Sequence, residues 1–163
     1  MKLDPLFKSE NNKLYTLDGK EVAVANAPVL QAQSIVADTW CGSGTVCAVE
    51  LPWNLVGTES GGYNEEFLAS LRDWLKGLEE KERFVFFIPV AGKTVSAEDA
   101  AVFTASMKHC ARRIKDCTSV IGFAIPQGVD ASSFTAELHE KHAQYILFSR
   151  DSTVLGDKAV VLY

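Results

Sequence analysis

Long apolar runs are missing from this sequence: the longest, Phe84 to Ala91, is 8 residues. A membrane-spanning helix needs roughly 18 or more apolar residues, so we expect no transmembrane segment and no membrane partner. The first residues, Met1 to Pro5, hold an acid and a proline where a signal peptide has its apolar stretch. This start predicts a cytoplasmic protein.

Positive charge is scarce as well. The chain has 16 Lys and Arg residues against 21 Asp and Glu residues, a net charge of −5. Because nucleic-acid-binding surfaces are basic, we expect no nucleic-acid partner. The 163 residues, 47% of them apolar, are enough to bury a core. No low-complexity stretch or linker divides them, which predicts a single α/β domain over residues 1–163.

Motifs that hold metals, phosphates or nucleophiles are also lacking. Cys41, Cys47, Cys110 and Cys117 are separated by 5, 62 and 6 intervening residues. These spacings match neither a CxxC redox pair nor a structural zinc site. We therefore expect the cysteines to pack in the core. The sequence has no GxGxxG turn, no Walker loop and no GxSxG elbow, so no cofactor is expected.

Two histidines near a predicted helix end lie among acidic residues, in the segment Glu137 to His142. His139 and His142 are three positions apart, whereas two zinc-binding histidines around a glutamate are four apart. We interpret the segment as a solvated helix face and expect no metal there.

Prolines supply the main signal for strands. Four short apolar runs each end directly before a proline. They are 22–27 before Pro28, 46–51 before Pro52, 84–88 before Pro89 and 120–125 before Pro126. Proline cannot donate to a sheet ladder, so we interpret each as a strand exit. Pro52, Pro89 and Pro126 are spaced by 37 residues each time, which predicts repeated β-α units.

Helices are predicted between these strands. Apolar residues recur at helical spacing after Asn64, a candidate N-cap, and again after Ser96, which starts a near capping box with Asp99. A third helix is predicted from about Asp130, and a weaker one over Leu30 to Trp40.

The fold class follows from strands that are apolar on both faces, such as Phe84 to Ile88. Such strands belong in a parallel sheet covered by helices, either a partial TIM barrel or an open three-layer sandwich. We expect antiparallel strands at both edges. One pair is a hairpin at Asp18-Gly19, and the other joins 145–149 to 159–163 through 9 residues, which is short for a parallel crossover.

Ligands of parallel sheets bind beyond the carboxyl ends of the strands. This rule gives the candidate ligand-binding residues Asn26, Glu50, Trp53, Asn54, Lys93, Gln127, Arg150 and Asp151. Glu50 is the only charged side chain within the four predicted strands. It either acts as an acid, a base or a ligand for a hydroxyl group, or it pairs with a cation or caps a loop. Trp53 either stacks on a sugar ring or packs in the core.

Several segments resemble the N-terminal half of the cellulase-like (β/α)8 glycoside hydrolases over residues 13 to 150. They are 17–22, similar to the opening hairpin of that family, 49–53, similar to its second strand, the helix start Tyr63-Asn64, and 120–125, similar to its fourth strand. The family's fourth strand ends in Asn-Glu-Pro with the acid/base glutamate, whereas this chain has Ile125-Pro126-Gln127. Glu50 stands where the family usually has an arginine, and the family's nucleophile lies on a seventh strand.

The resemblance implies a glycoside hydrolase scaffold without the usual acid/base residue, and hence no enzyme of the usual kind. Our first hypothesis is a non-catalytic or weakly catalytic domain that binds a saccharide or other carbohydrate-like polar molecule through Glu50, Trp53, Asn54 and Gln127. A second is a structural module that self-associates into a homo-oligomer. A third is a glycoside or ester hydrolase that uses Glu50 with an acidic partner such as Asp151.

Overall fold

A computed structural model describes residues 3–163. In chain order, its strands are β1 Phe7–Glu10, β2 Lys13–Thr16, β3 Glu21–Val22, β4 Val29–Gln31, β5 Val46–Pro52, β6 Phe84–Val90, β7 Val120–Ala124, β8 Ile146–Ser149 and β9 Val161–Leu162. The helices are α1 Trp53–Val56, α2 Glu65–Glu80, α3 Ala97–Arg113 and α4 Ala131–His139, and a short 3₁₀ turn covers Ala32–Ser34. None of these helices has the length and apolar character to cross a bilayer.

Six parallel strands form the main sheet, in the order β4-β5-β6-β7-β8-β9. The sheet is open, with β4 and β9 at its edges. The remaining strands, β1 to β3, form a separate antiparallel sheet. The predicted mostly parallel α/β fold is confirmed.

Side-chain caps start the three long helices where the sequence predicts them. The side chains of Asn64, Ser96 and Asp130 accept hydrogen bonds from backbone N–H groups three residues onward. These bonds satisfy donors that a helix cannot pair internally. The apolar stripe of α2 is buried against the sheet at Leu68, Leu71, Trp74, Leu75 and Leu78.

The two faces of the main sheet have different covers. Strand residues such as Val49 and Phe87 face the core beneath the helices. The alternate residues, among them Phe86, face a second core that includes Leu14 of β2. The rings of Phe7 and Phe84 meet edge to face at 4.9 Å, so the small sheet covers this second face where the parallel strands begin.

The predicted antiparallel arrangement of the last strand is wrong. β9 pairs with β8 in parallel, with Phe148 opposite Val161. Successive tight turns over 150–160 bring the chain back to the edge of the sheet where the parallel strands begin, and no helix is needed. A crossover can therefore be shorter than helix-containing β-α units suggest. The other predicted hairpin, at Asp18-Gly19, forms, but it belongs to the separate sheet rather than to an edge of the main one.

Pro28 marks the entry of a strand and not its exit. β4 begins directly after it, and the Pro28 carbonyl accepts the Ala48 N–H at 2.9 Å. The predicted strand over 22–27 is instead divided between β3 and a turn in which Asn26 adopts a φ of 61°. The helix predicted over Leu30 to Trp40 is reduced to the 3₁₀ turn. β1 was not predicted.

Two of the four cysteines are not simply packed in the core. Cys41 and Cys47 form a disulfide with a Cα–Cα distance of 6.7 Å. The expected core packing holds for Cys47, which is fully buried, and for Cys110 and Cys117, which are free and buried. Burial raises the pKa of each of these two thiols to about 12. Both are therefore neutral at ordinary pH and poor nucleophiles.

Candidate functional site

A cleft of about 640 Å³ lies beyond the carboxyl ends of β6, β7 and β8. Loops that follow these strands form its walls. Its polar lining comes from Lys93, Gln127, Ser149, Arg150, Asp151 and Tyr163. Four of the predicted site residues, Lys93, Gln127, Arg150 and Asp151, are thus brought to one cleft, which we call the strand-end cleft.

Arg150 and Tyr163 form its most organised part. The Arg150 Nε donates to the Tyr163 backbone carbonyl at 3.0 Å, and the guanidinium carbon lies 4.3 Å from the centre of the Tyr163 ring. The ring also meets Phe86 edge to face at 5.3 Å. A half-buried aromatic ring beside a planar cation offers both an apolar face and several hydrogen-bond donors to a ligand.

Glu50 lies on β5 and projects from the face of the sheet opposite the helices, as its even-numbered neighbours Val46 and Ala48 do. Its carboxylate accepts a hydrogen bond from Gln31 Nε2 at 2.9 Å. Within residues 3–163 no lysine or arginine lies within 4.0 Å of it. The prediction that Glu50 pairs with a cation therefore finds no partner among these residues. The side-chain amide of Gln31 takes that place.

The pKa of the Tyr163 phenol depends on the nearby charge of Glu50. Burial raises the pKa of Tyr163, the negative charge of Glu50 raises it further, and Arg150 opposes both. Gln31 was missed by the sequence analysis because β4 was placed before Pro28 rather than after it. The correct register sets Gln31 opposite Glu50.

Lys93 and Asp151 are already engaged by the protein. Lys93 pairs with Glu59 and lies 3.3 Å from Asp99, and these carboxylates raise the pKa of its amine. Asp151 accepts hydrogen bonds from the backbone N–H and the hydroxyl of Thr153 at 2.9 and 2.7 Å. These bonds lower the pKa of Asp151, whose carboxylate holds a turn rather than pointing to a reaction partner.

Trp53 packs in the core rather than offering its ring to a sugar, which were the two interpretations of this residue. Only 3% of it is exposed, and its ring lies 5.3 Å from that of Phe103. The indole N–H donates to Ser106 Oγ at 3.1 Å. Its ring is therefore not open to a sugar. Asn54 is exposed on α1, and Asn26 lies in the turn before β4, away from the strand ends.

No protein-family model and no curated protein matches this sequence. Solved structures do match its fold. An endocellulase from the archaeon Pyrococcus horikoshii superposes with a TM-score of 0.62 at 10% identity, over 89% of this chain and 57% of that one. The catalytic domain of the major endoglucanase from Xanthomonas campestris pv. campestris gives 0.61 at 12% identity, over 88% and 56%. A variant of the Pyrococcus enzyme in this set was solved with cellotetraose.

These matches confirm the resemblance to cellulase-like glycoside hydrolases at the level of the fold. At such identities they show the fold alone. The chain spans little more than half the length of the cellulase domains that it matches. It therefore has a partial cellulase-like fold, an open sheet of six parallel strands with helices on one face and a small antiparallel sheet on the other.

Proposed function

We propose that this chain binds a carbohydrate-like polar molecule in the strand-end cleft. The observation that carries the proposal is the Arg150–Tyr163 stack beside the Glu50–Gln31 pair. A ring face with donors and acceptors around it suits a molecule that has both apolar and hydroxyl-bearing surfaces. The fold supports the proposal, since the similar Pyrococcus endocellulase was solved with cellotetraose.

Binding without hydrolysis agrees better with the acidic groups in and near the cleft, which are Asp151 in its lining and Glu50 close to Tyr163. Glycosidases need a pair of carboxyl groups about 5 to 9.5 Å apart. In this chain Ile125-Pro126-Gln127 stands where the resemblance places Asn-Glu-Pro, so the acid is missing, and Asp151 is held by Thr153. Glu50 is then left as a ligand for hydroxyl groups, in company with Gln31.

Isothermal titration calorimetry with cellotetraose and with xylose- and mannose-based tetrasaccharides tests the proposal. We expect one of them to bind, and Arg150→Gln to weaken the affinity about tenfold through loss of charge-assisted hydrogen bonds. Arg113→Gln is the matched control, because Arg113 lies on α3 and pairs with Glu65. The proposal fails if no saccharide binds, or if Arg150→Gln and Glu50→Gln both bind as the unaltered chain does.

A second candidate function is assembly through the open sheet. The edge strands β4 and β9 expose Val29 by 42% and Leu162 by 48%. Apolar side chains exposed on edge strands favour contact with another chain, and we propose a homo-oligomer as the cover. Multi-angle light scattering should then show a dimer or larger species at micromolar concentration, whereas a monomer would count against this function.

The cytoplasmic location stays a proposal, and the Cys41–Cys47 disulfide of the structure is the state that an oxidising compartment favours instead. Reducing systems in that compartment would keep Cys41 and Cys47 as thiols. Alkylation of intact cells followed by mass spectrometry should find both residues modified and in the cytosolic fraction. Recovery of an intact Cys41–Cys47 disulfide from a secreted fraction would contradict the proposal.

A further inference from the structure

A second cleft, of about 600 Å³, lies on the helical side of the molecule, away from the strand ends. α3 and the turn after α4 form most of it, and Tyr63 closes one side. Its lining contains no carboxylate, and six of its side chains are basic or imidazole: Lys108, His109, Arg112, Lys115, Lys141 and His142. We call it the basic cleft. Such a concentration is unexpected in a chain with a net charge of −5.

Among the described residues, four of these six groups have no acidic partner: His142 and three of the cations. Lys108 pairs with Glu137 and Glu140, and His109 pairs with Glu65 while its ring stacks on Tyr63. In the part of the chain that the structure describes, no carboxylate lies within 4.0 Å of the other three cations, which are Arg112, Lys115 and Lys141. Their charges are open to a ligand.

His142 provides a second, independent observation. It is only 5% exposed and lines the basic cleft. No hydrogen bond of its ring nitrogens is found within residues 3–163, although His139 nearby does bond to the Tyr145 carbonyl at 2.8 Å. No fully buried side-chain nitrogen or oxygen of the described residues lacks a partner, so the unpaired ring nitrogens of His142 still reach solvent. A mostly buried imidazole that lines the cleft in this way is free to bond a ligand there.

Helix-dipole stabilisation explains only part of this arrangement. Arg112 lies in the last turn of α3, where a cation stabilises the carbonyl end of the helix. That effect accounts neither for Lys141, which follows α4 in the chain, nor for the buried ring of His142. An anion seated between them would give the three cations a counter-charge and the imidazole a hydrogen-bond partner.

We propose that the basic cleft binds a phosphate dianion, either free or as the phosphate group of a small molecule. Arginine and lysine are the side chains that commonly recognise phosphate, Arg112 through a two-pronged contact and Lys115 and Lys141 as point charges. The volume suits a small organic phosphate. Because the basic cleft and the strand-end cleft share no lining residue, this site can exist whether or not the chain binds a saccharide.

The first test follows the imidazole signals of His142 by NMR during titration with inorganic phosphate, against sodium chloride at equal ionic strength. Phosphate at up to about 10 mM should shift these signals in a saturable way and raise the pKa of His142, because a bound anion stabilises imidazolium. Chloride should do neither. A response that is equal for the two salts, or absent for both, overturns the proposal.

The second test removes two charges. The double variant Arg112→Gln/Lys115→Gln should weaken phosphate binding at least about tenfold. The matched control Lys8→Gln/Lys81→Gln loses the same charge at exposed positions outside the cleft. An equal loss in both variants would reduce the effect to overall charge and overturn the site.

A comparison of ligands identifies the source of the phosphate. Tighter binding of glucose 6-phosphate or of adenosine monophosphate than of inorganic phosphate would show that the cleft holds an organic body as well. Equal affinity would assign the cleft to free phosphate. Binding of glucose or adenosine as tight as that of their phosphates would contradict recognition of the dianion.

Discussion

Glu50 shows how an isolated charge is accommodated at the end of a strand. The sequence predicts that it is exceptional but not what it touches. The structure gives it an amide, that of Gln31, and places its charge close enough to raise the pKa of Tyr163. A carboxylate held by an amide keeps acceptor capacity for a ligand, since each of its oxygens can take more than one hydrogen bond.

This geometry predicts the effect of Glu50→Gln. The variant should fold normally, because the side chain is only partly buried and glutamine retains the size and a hydrogen-bonding group. The pKa of Tyr163 should fall, since one of the causes that raise it is removed. Ultraviolet difference titration, with Tyr163→Phe to identify the signal, measures it. Glu21→Gln, on the small sheet, should leave the titration unchanged, and a Tyr163 pKa that is the same in Glu50→Gln would contradict the coupling.

Because Trp53 is buried in the core, we expect its substitution to lower the stability of the fold rather than the affinity for a ligand. Trp53→Ala removes a ring that is 97% buried and its bond to Ser106, so we expect a cost of about 3 to 5 kcal/mol in unfolding free energy. Trp53→Phe should cost less, because most of the packing against Phe103 remains. Urea unfolding measures both changes. An alanine variant of unchanged stability that fails to bind saccharide would restore the stacking interpretation.

At the scale of elements, the contact between β7 and β8 depends on a glycine. A Cβ built on Gly122 would lie 1.7 Å from the Ile146 carbonyl oxygen, which belongs to backbone and cannot turn aside. β8 must therefore move if the residue has a side chain. A neighbouring strand that approaches this closely is a recurrent reason for glycine within a sheet.

We therefore expect Gly122→Ala to unfold the protein or to lower its melting temperature strongly. Gly77→Ala is the matched control, because nothing lies within 4 Å of the added methyl group in α2. In that helix alanine should add up to about 1 kcal/mol of stability. Thermal denaturation followed by circular dichroism compares the two. A Gly122→Ala protein as stable as the unaltered chain would show that β7 and β8 are not so close.

The prediction of elements succeeded where the signal is local. The caps Asn64, Ser96 and Asp130 identify the three long helices, because each cap bonds to a backbone N–H within its own helix. It failed at Pro28 and β9, where the same residues permit either a strand entry or an exit, and either direction of pairing. Those choices depend on which strand lies alongside.

At the scale of the whole molecule, His142 couples folding to pH. Burial and the nearby charges of Lys115 and Lys108 lower the pKa of its imidazole below 6.5 in the folded state. The unfolded chain then binds a proton more readily than the folded chain. Stability from this residue is complete above about pH 6.5 and is lost as the pH falls through the folded value.

We expect the unfolding free energy to decline as the pH falls below about 6.5, and His142→Gln to flatten that decline. The pKa of Asp116 is lowered by its hydrogen bond from Arg72, so its contribution persists above about pH 4 and is lost only at more acidic pH. Urea unfolding at several pH values, in buffers without phosphate, measures the slope. A slope that is the same in both proteins would contradict the role of His142.

The small sheet and the main sheet should unfold together. Leu14 of β2 and Phe86 of β6 share one core, and Asn12 bonds to the backbone of Lys158 and Leu162. Circular dichroism and tryptophan fluorescence should therefore report the same midpoint in urea, as expected of a single domain. Two separated transitions would divide the chain into two units and contradict the predicted boundaries of 1–163.

By itself, the sequence determined the β-α repeat, the starts of the helices and the parallel character of the central strands, and it predicted the edge at which we propose that a ligand binds. Each of these follows from spacing, capping or two-sided apolar strands, which are properties of neighbouring residues. Only the tertiary structure decided that Trp53 is buried, that Gln31 holds Glu50, that Arg150 stacks on Tyr163 and that basic side chains surround His142. These contacts join residues that are distant in the chain, and their partners are set by strand register and helix packing, which no local pattern specifies.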